Sequence, residues 1–442
     1  MADHAADRSG RSGKSIRTLV PRVALGGPRR AEFHSIARRT APRLAFAAGV
    51  GGIVGLAVAA LDRVAAIELR DRLEGLPLWA LTFAPLAGLM LAALALRFVG
   101  RAASSATADL YLAEFHSPEH RSGPRQVVAR MIAAVATIGS GGPMGLEGPS
   151  IHLGSALGAA AQRRAPRLFA GADRRTLLVA GAAAAVAAIF KAPATGAVFA
   201  IEVPYQDDLA RRMLMPALVS AASGYVAFVL VNGTEPLLEV VGDPGFGVRD
   251  LGGAVLLGVL AGGVARSFAA ALRRAKWSVP KYHPYLRALV AGLAIAAMFL
   301  AVRALTGESL TIGPGYSTIR WALDDHAIWV VLLVLVLRCA ATTAMVGGGG
   351  VGGVFIPLVV AGALLGRAVA GSIHSLDTNL FTVVGMAAVL GAGYRVPLAA
   401  VTFVAETTGR PGFVVPGLLA AVSADLIMGT SSVTSYQRPA AP

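Results

Sequence analysis

Long apolar runs alternate with short polar or glycine-rich breaks along most of the chain. They lie near 44–61, 77–99, 126–138, 176–201, 213–231, 251–271, 286–305 and 328–346, then at 354–371, 380–392, 396–405 and 412–428. Several fall short of the about 20 residues that a straight membrane span requires. Glycine and proline break the pattern again at 139–149 and 347–357. Short or broken helices survive in lipid only where their ends are buried in protein or line a cavity, because unpaired backbone groups are costly there. The pattern predicts an all-α polytopic membrane protein in which many helices stop part-way across.

The runs repeat. GSGGPMGLEGPSIHLGSALG at 139–158 resembles GGGGVGGVFIPLVVAGALLG at 347–366, matching Pro149 to Pro357 and Gly158 to Gly366. KAPATGAVFAIE at 191–202 resembles RVPLAAVTFVAE at 395–406, matching Pro193 to Pro397 and Glu202 to Glu406. Two ordered matches at nearly one offset divide the chain into a basic tail over 1–40, a first half over 41–232, a connecting segment over 233–250 and a second half over 251–437. Gly-interrupted segments at corresponding positions of two halves point to the site of a transported species.

Composition removes the competing classes. A soluble chain of 442 residues would hold about three domains. Only 15% of residues are charged and 55% are hydrophobic, against roughly 25% charged in soluble domains, which is too few to coat several water-facing globules. With 52 glycines and 6% aromatics, the chain fits helices that approach closely through small residues and excludes disorder, a disulfide scaffold and a coiled coil. The single cysteine, Cys339, has no intrachain partner. Much of the +15 charge precedes the first apolar run, in Arg8, Arg11, Lys14, Arg17, Arg22, Arg29, Arg30, Arg38, Arg39 and Arg43. Cations flanking a first span favour a cytoplasmic N-terminus and attract anionic headgroups. No aromatic stacking residues interleave with them, so nucleic acid is not an expected partner. The tail is also too long and too polar at its start for a secretory signal.

Gly145-Leu146-Glu147-Gly148-Pro149 reads as a glycine break leading into a helix whose first turn carries a proline. Free N–H groups and the helix dipole make such a start attractive to anions. Glu147 sits where an anion would bind, either capping its own helix or, as an ionisable group at membrane depth, serving function. Gly352-Gly353-Val354-Phe355-Ile356-Pro357 repeats the break without an acid, leaving the amides of Val354 and Phe355 free for an anion. The run 347–352 also fits the dinucleotide pattern G-x-G-x-x-G, but an apolar run precedes it and no acid lies about 20 residues on. No P-loop lysine follows either cluster, so ATP-driven pumping has no support. No nucleophile–base pair with recognisable spacing appears, and no enzyme is expected.

In this order, the GxEGP segment at 145–149, the GxFxP segment at 353–357, Lys191-Ala192-Pro193 leading to Glu202, and Arg395-Val396-Pro397 leading to Glu406 resemble the CLC chloride channels and proton–chloride exchangers over about residues 40–437. The resemblance implies inverted-repeat halves of tilted, partly broken helices and a homodimer with one anion pathway per subunit. It implies Glu147 as the gating glutamate, with Ser105, Gly148, Val354, Phe355 and Tyr436 around a bound chloride. Neither a metal nor an organic cofactor is implied. Membrane lipid and related anions complete the partners, in a prokaryotic inner membrane, with no C-terminal regulatory domain expected.

Two positions depart from the family pattern. The pore serine usually lies in a GSGIP segment; here the stretch is Ser104-Ser105-Ala106-Thr107-Ala108-Asp109, where Ser105 fits better than Ser104 by its spacing to Glu147. Ser140 is a rival by setting but lies too close to Glu147. No asparagine occupies the stretch, unlike the fluoride-exporting branch. Where family exchangers carry an inner proton-relaying glutamate, this chain has Val203, directly after Glu202. Since valine cannot take up a proton, the sequence favours passive, selective chloride conduction gated by Glu147, with proton-coupled exchange through a different inner relay as the alternative. Glu202 holds what is a structural position in the family, and Asp207 and Asp208 read as a loop. His152, one turn beyond Glu147, reads as a packing histidine, with tuning of Glu147 as the alternative, and Glu114, His116, Glu119 and His120 read as a solvated loop rather than a metal site.

Overall fold

A computed structural model describes residues 27–238, 247–373 and 378–439. The compact body runs from Arg43 onward. Within the described residues the regular elements are helices, and the only β-type pairings are isolated bridges, Gly145 with Gly353 and Tyr205 with Arg438. Among the described residues eight helices are long and apolar enough to cross a membrane, including Leu78–Val99, Val248–Ser278, Pro284–Thr306 and Ile328–Gly348. Most keep less than half of their apolar window buried. Large side chains such as Leu56, Leu91, Leu230 and Leu426 are left on outward faces, as helices solvated by lipid allow.

Three elements are covered on all sides and form the core: Thr176–Phe190, Phe355–Ser372 and Thr378–Tyr394. Helices apolar all round belong in such a position. Close approach is made by glycine in both halves. A Cβ on Gly154 would meet the carbonyl of Gly181, and one on Gly362 would meet the carbonyl of Gly385. The repeat read in the sequence is therefore also a repeat of packing.

The apolar run at 176–201 is two helices rather than one. Thr176–Phe190 ends where Lys191 turns left-handed (φ 52°), and Pro193–Glu202 starts with its proline at the first helical position. Thr378–Tyr394 ends the same way at Arg395 (φ 57°), and Pro397–Thr408 follows. Proline disfavours helical backbone in the residue before it and suits a helix start, so each Pro fixes a break between two short helices. Other boundaries also move. The first helix spans Gly27–Asp62 and so begins inside the stretch assigned to the tail, while residues 1–26 lie outside the described residues. Of the connecting segment, 239–246 lie outside them, and the next helix already starts at Val248. Two helices too short to show as apolar runs, Ala108–His116 and Tyr316–Leu323, complete the pathway region. The glycine run 347–352 closes the helix Ile328–Gly348, with Gly349 at φ +87°, and follows no strand.

Candidate anion pathway

Two helix starts converge at the centre of the body: Glu147–Arg164 from the first half and Phe355–Ser372 from the second. The segments leading into them are locked together, since Gly145 N–H donates to the Gly353 carbonyl at 3.1 Å and Gly353 N–H to the Gly145 carbonyl at 2.7 Å. Glu147, 1% exposed, does not cap its own helix alone. Its Oε1 accepts from the Phe355 amide at 2.7 Å and the Ile356 amide at 3.3 Å. The carboxylate thus sits as an anion on the start of the opposite helix, where backbone donors and dipole favour negative charge. The two bridging glycines make room for it: a Cβ on Gly353 would fall 2.3 Å from Oε1, and one on Gly145 1.8 Å from Oε2. Oε2 is buried with no hydrogen-bond partner.

Two cavities are lined in part by the segments of this constriction. One, of about 410 Å³, is lined by Ser104, Ser105, Thr107, Asp109 and Lys276, by Gly352 to Val354, and by Tyr394 and Tyr436. The other, of about 170 Å³, is lined by Gly145 and Leu146 together with Asp62, Lys191, Asn232 and Tyr316. Glu147 stands between the segments that close each of them.

The first cavity gathers three of the five residues expected around the anion, Ser105, Val354 and Tyr436. Ser105 lines it. The Ser104 hydroxyl is engaged, accepting from Arg130 Nη2 at 3.3 Å while its carbonyl accepts from Arg130 Nε at 3.0 Å. Gly148 lies against Thr107, whose hydroxyl donates to the Gly352 carbonyl at 3.3 Å, and a Cβ at Gly148 would come 2.5 Å from that oxygen. The Phe355 amide is occupied by Glu147, leaving Val354 at the cavity wall. Tyr436 is at the rim, 38% exposed, its ring edge-on to His120. Ser140 instead bonds the Thr137 carbonyl of its own helix.

Val203 is buried at the end of Pro193–Glu202. Glu202 places its oxygens on the Leu398 and Ala399 amides, at 3.1 and 2.8 Å, which is a capping role. Asp207 pairs with Arg395 at 2.7 Å. His152 is buried, and its Nε2 lies 3.4 Å from Arg130 Nη1. Among the described residues no three His, Cys, Asp or Glu side chains gather as a metal site, and His116 bonds the Pro204 carbonyl.

Four side chains of this region had not been singled out. Thr107 was hidden by the serines beside it. Arg130 carried a readable signal, a cation inside the apolar run at 126–138. Lys276, 2.6 Å from Asp109 and bonded to the Val433 carbonyl, comes from a distant helix and gave none. Tyr394 could have been found by carrying the repeat one residue further.

The family model described as voltage gated chloride channel matches residues 87–429. A putative chloride channel protein, ClcB-like, of Ralstonia nicotianae is 31% identical over 377 residues, covering 79% of this chain and 82% of its own. The chain belongs to the CLC family. Another CLC relative, the H(+)/Cl(-) exchange transporter ClcA of Yersinia pestis, is 27% identical over 404 residues, covering 87% of this chain and 84% of its own. The fold agrees with a crystal structure of a CLC-type fluoride/proton antiporter (TM-score 0.80, 20% identity, 91% of this chain and 98% of the other). It agrees also with a slow cyanobacterial Cl-/H+ antiporter (TM-score 0.73, 20% identity, 87% and 94%). This CLC protein is a polytopic integral membrane protein, and its bacterial relatives agree with an inner-membrane location.

Proposed function

We propose that the protein carries chloride across the membrane through the passage between the two cavities, in exchange for protons. Glu147 is the group for which anion and proton compete. The observation that carries this reading is the Glu147 carboxylate seated on the Phe355 amide at 2.7 Å. Ionised, the side chain occupies the place of an anion. Protonated at Oε2, which has no donor of its own, it leaves the amides to chloride and takes the proton with it. Neutral amides and hydroxyls bind an anion firmly enough to select and weakly enough to release.

The relatives named as H(+)/Cl(-) exchangers support coupled exchange over the passive conduction that Val203 led the sequence to favour. With Val203 apolar and Glu202 engaged as a cap, neither of these two positions serves as the inner relay. Water in the larger cavity brings the proton to Glu147 instead. A second reading, passive conduction, retains one observation in its favour: Val203 itself, buried and unable to hold a proton. We also take the protein to be a homodimer with a pathway in each subunit, needing neither metal nor organic cofactor and performing no enzymatic step.

Purified protein in liposomes separates the two modes. With a chloride gradient and no pH gradient, exchange drives protons uphill against the direction of chloride, and the reversal potential shifts when pH is changed on one side. A reversal potential that follows chloride alone, with no proton movement, supports passive conduction and overturns exchange.

A further inference from the structure

We propose that Asp109 is the inner proton acceptor of this protein, taking up a proton when a chloride ion replaces it on Lys276. The assignment rests on the exchange reading above and names the group that stands in for the acid missing at Val203.

Among the described residues that line the larger cavity, Lys276 is the only cation and Asp109 the only carboxylate. The helices Leu78–Val99 and Val248–Ser278 lead into the wall of this cavity. Cations crowd those two ends, Arg97 and Arg101 near the first, Arg273, Arg274 and Lys281 near the second. Such an excess marks the cytoplasmic side, so ions and protons that use this cavity enter or leave there.

The two side chains are joined. Lys276 Nζ donates to Asp109 Oδ2 at 2.6 Å and to the Val433 carbonyl at 2.9 Å, while Asp109 Oδ1 accepts from the Ser435 amide at 3.1 Å. Asp109 is 8% exposed and stands in the first turn of Ala108–His116, where the helix dipole favours its ionised form. An anion drawn to the one cation of the cavity therefore meets a carboxylate already seated on it, as it does at the Phe355 amide. A carboxylate set aside unpaired in so closed a place is costly, and a proton removes the cost. The ionised pair plus chloride becomes Lys276 with chloride and a neutral Asp109, the proton coming from cytoplasmic water. As the chloride leaves to the cytoplasm, the carboxylate returns to Lys276 and its proton passes through cavity water to ionised Glu147. Chloride has then moved inward and the proton outward. The two carboxylates share this cavity, since Glu147 lies against Gly353 of its wall, and the Tyr394 phenol is within electrostatic range of both.

The other groups around Asp109 leave the role to it. Tyr394 faces the cavity from Thr378–Tyr394 and Tyr436 from the last segment. On Glu147–Arg164, packed against Ala108–His116, His152 is turned to Arg130. Thr176–Phe190, also packed there, carries no titratable side chain. Glu119 and His120 of the next turn are exposed, with His120 edge-on to Tyr436. On its own helix, Tyr111 donates to the Ala200 carbonyl, His116 bonds the Pro204 carbonyl and Glu114 lies among Arg121, Arg163 and Arg174.

Asp109→Asn keeps the size and the acceptor for the Ser435 amide but cannot hold the proton. A positioned proton acceptor is worth about 100-fold or more in transfer rate, so the protons moved per chloride in liposomes should fall about tenfold or more. Asp109→Glu should recover most of the loss. A pair that only pins residues 433–435 in place predicts the parent's ratio in the Asn variant. A second measurement needs no transport. Chloride added to detergent-solubilised Glu147→Gln in weak buffer should raise the pH as Asp109 takes up protons, and the same addition to Glu147→Gln with Asp109→Asn should not. An unchanged proton-to-chloride ratio in Asp109→Asn, or equal proton uptake by the two solubilised variants, overturns the assignment while the exchange reading stands. Chloride flux with no proton movement in the unmodified protein removes the exchange reading and this relay with it.

Discussion

Glu202 and Glu406 cap each other's helices. Glu202, at the end of Pro193–Glu202, accepts from the Leu398 and Ala399 amides at the start of Pro397–Thr408. Glu406 returns the contact, accepting from the Ala194 amide at 2.9 Å and from the Thr195 amide and hydroxyl at 2.7 and 2.6 Å. The two short helices that follow the constriction are thus clamped head to tail across the repeat, with the carboxylates neutralised by the opposite helix dipoles. Replacing one carboxylate leaves two amides without their acceptor. Glu202→Ala should lower stability by about 2 kcal/mol, within the range of a lost cap, seen as a lower melting temperature in detergent. The ratio of protons to chloride moved by the surviving folded protein should not change. A loss of coupling without loss of stability would make Glu202 a relay instead.

Room for the gate is made by glycine, so filling that room should disturb it. Gly353→Ala puts a methyl group 2.3 Å from Glu147 Oε1, which forces the carboxylate off the Phe355 amide. The pH response of chloride flux should weaken markedly or flux should collapse. Gly52→Ala, where nothing lies within 4 Å of the added Cβ, serves as the silent control. Equal behaviour of the two variants in the same liposome assay would mean that the carboxylate does not need this seat.

Arg130 is a buried cation whose partners are all neutral: the Ser104 carbonyl and hydroxyl, Ser122 Oγ and His152. Among the described residues no carboxylate pairs with it. An uncompensated charge of this kind makes the neighbouring cavity more favourable to anions, and its bonds hold the Ser104–Ser105 segment in place. Arg130→Met should reduce chloride affinity at least severalfold by calorimetry, and Arg130→Lys should recover part of it by returning the charge. If Met and Lys variants bind chloride equally, the charge is irrelevant and only the positioning of the serines matters.

The gate itself gives a pH prediction with a definite sign. An ionised Glu147 blocks the amides and a protonated one frees them, so flux in the parent should rise as pH falls. Glu147→Gln cannot be ionised. Its chloride flux should stay high and nearly level with pH, and its proton transport should vanish. Stopped-flow or electrode measurements on liposomes read both. Flux in Glu147→Gln that keeps the parent's pH dependence would place the gate elsewhere.

What the sequence disclosed follows from which forces are local. Glycine breaks, helix-starting prolines and the repeat are local features, and they placed Glu147 on one helix start and the amides of the 353–357 segment on its counterpart, while Ser105 came from the family resemblance and its spacing to Glu147. They also exposed the paired Pro193 and Pro397 breaks, though hydropathy alone fused two helices over 176–201. What stayed hidden depends on contacts between distant parts of the chain. The reach of Glu147 across to Phe355 on the opposite helix is one such contact, and the pairing of Lys276 with Asp109 is another. Tyr394 lay between these cases. Its match to Phe190 was written in the repeat, but only packing shows that one ring meets a wall of side chains and the other a cavity.

The central claim is that the Glu147 carboxylate and the transported anion use the same amides. Anomalous diffraction from bromide-soaked crystals of the parent and of Glu147→Gln, grown at a pH where the parent's glutamate is ionised, tests it most directly. A bromide peak at hydrogen-bonding distance from the Phe355 and Ile356 amides is expected in Glu147→Gln and not in the parent, where the carboxylate fills that place. The same peak in both, or in neither while other sites fill, would contradict the account.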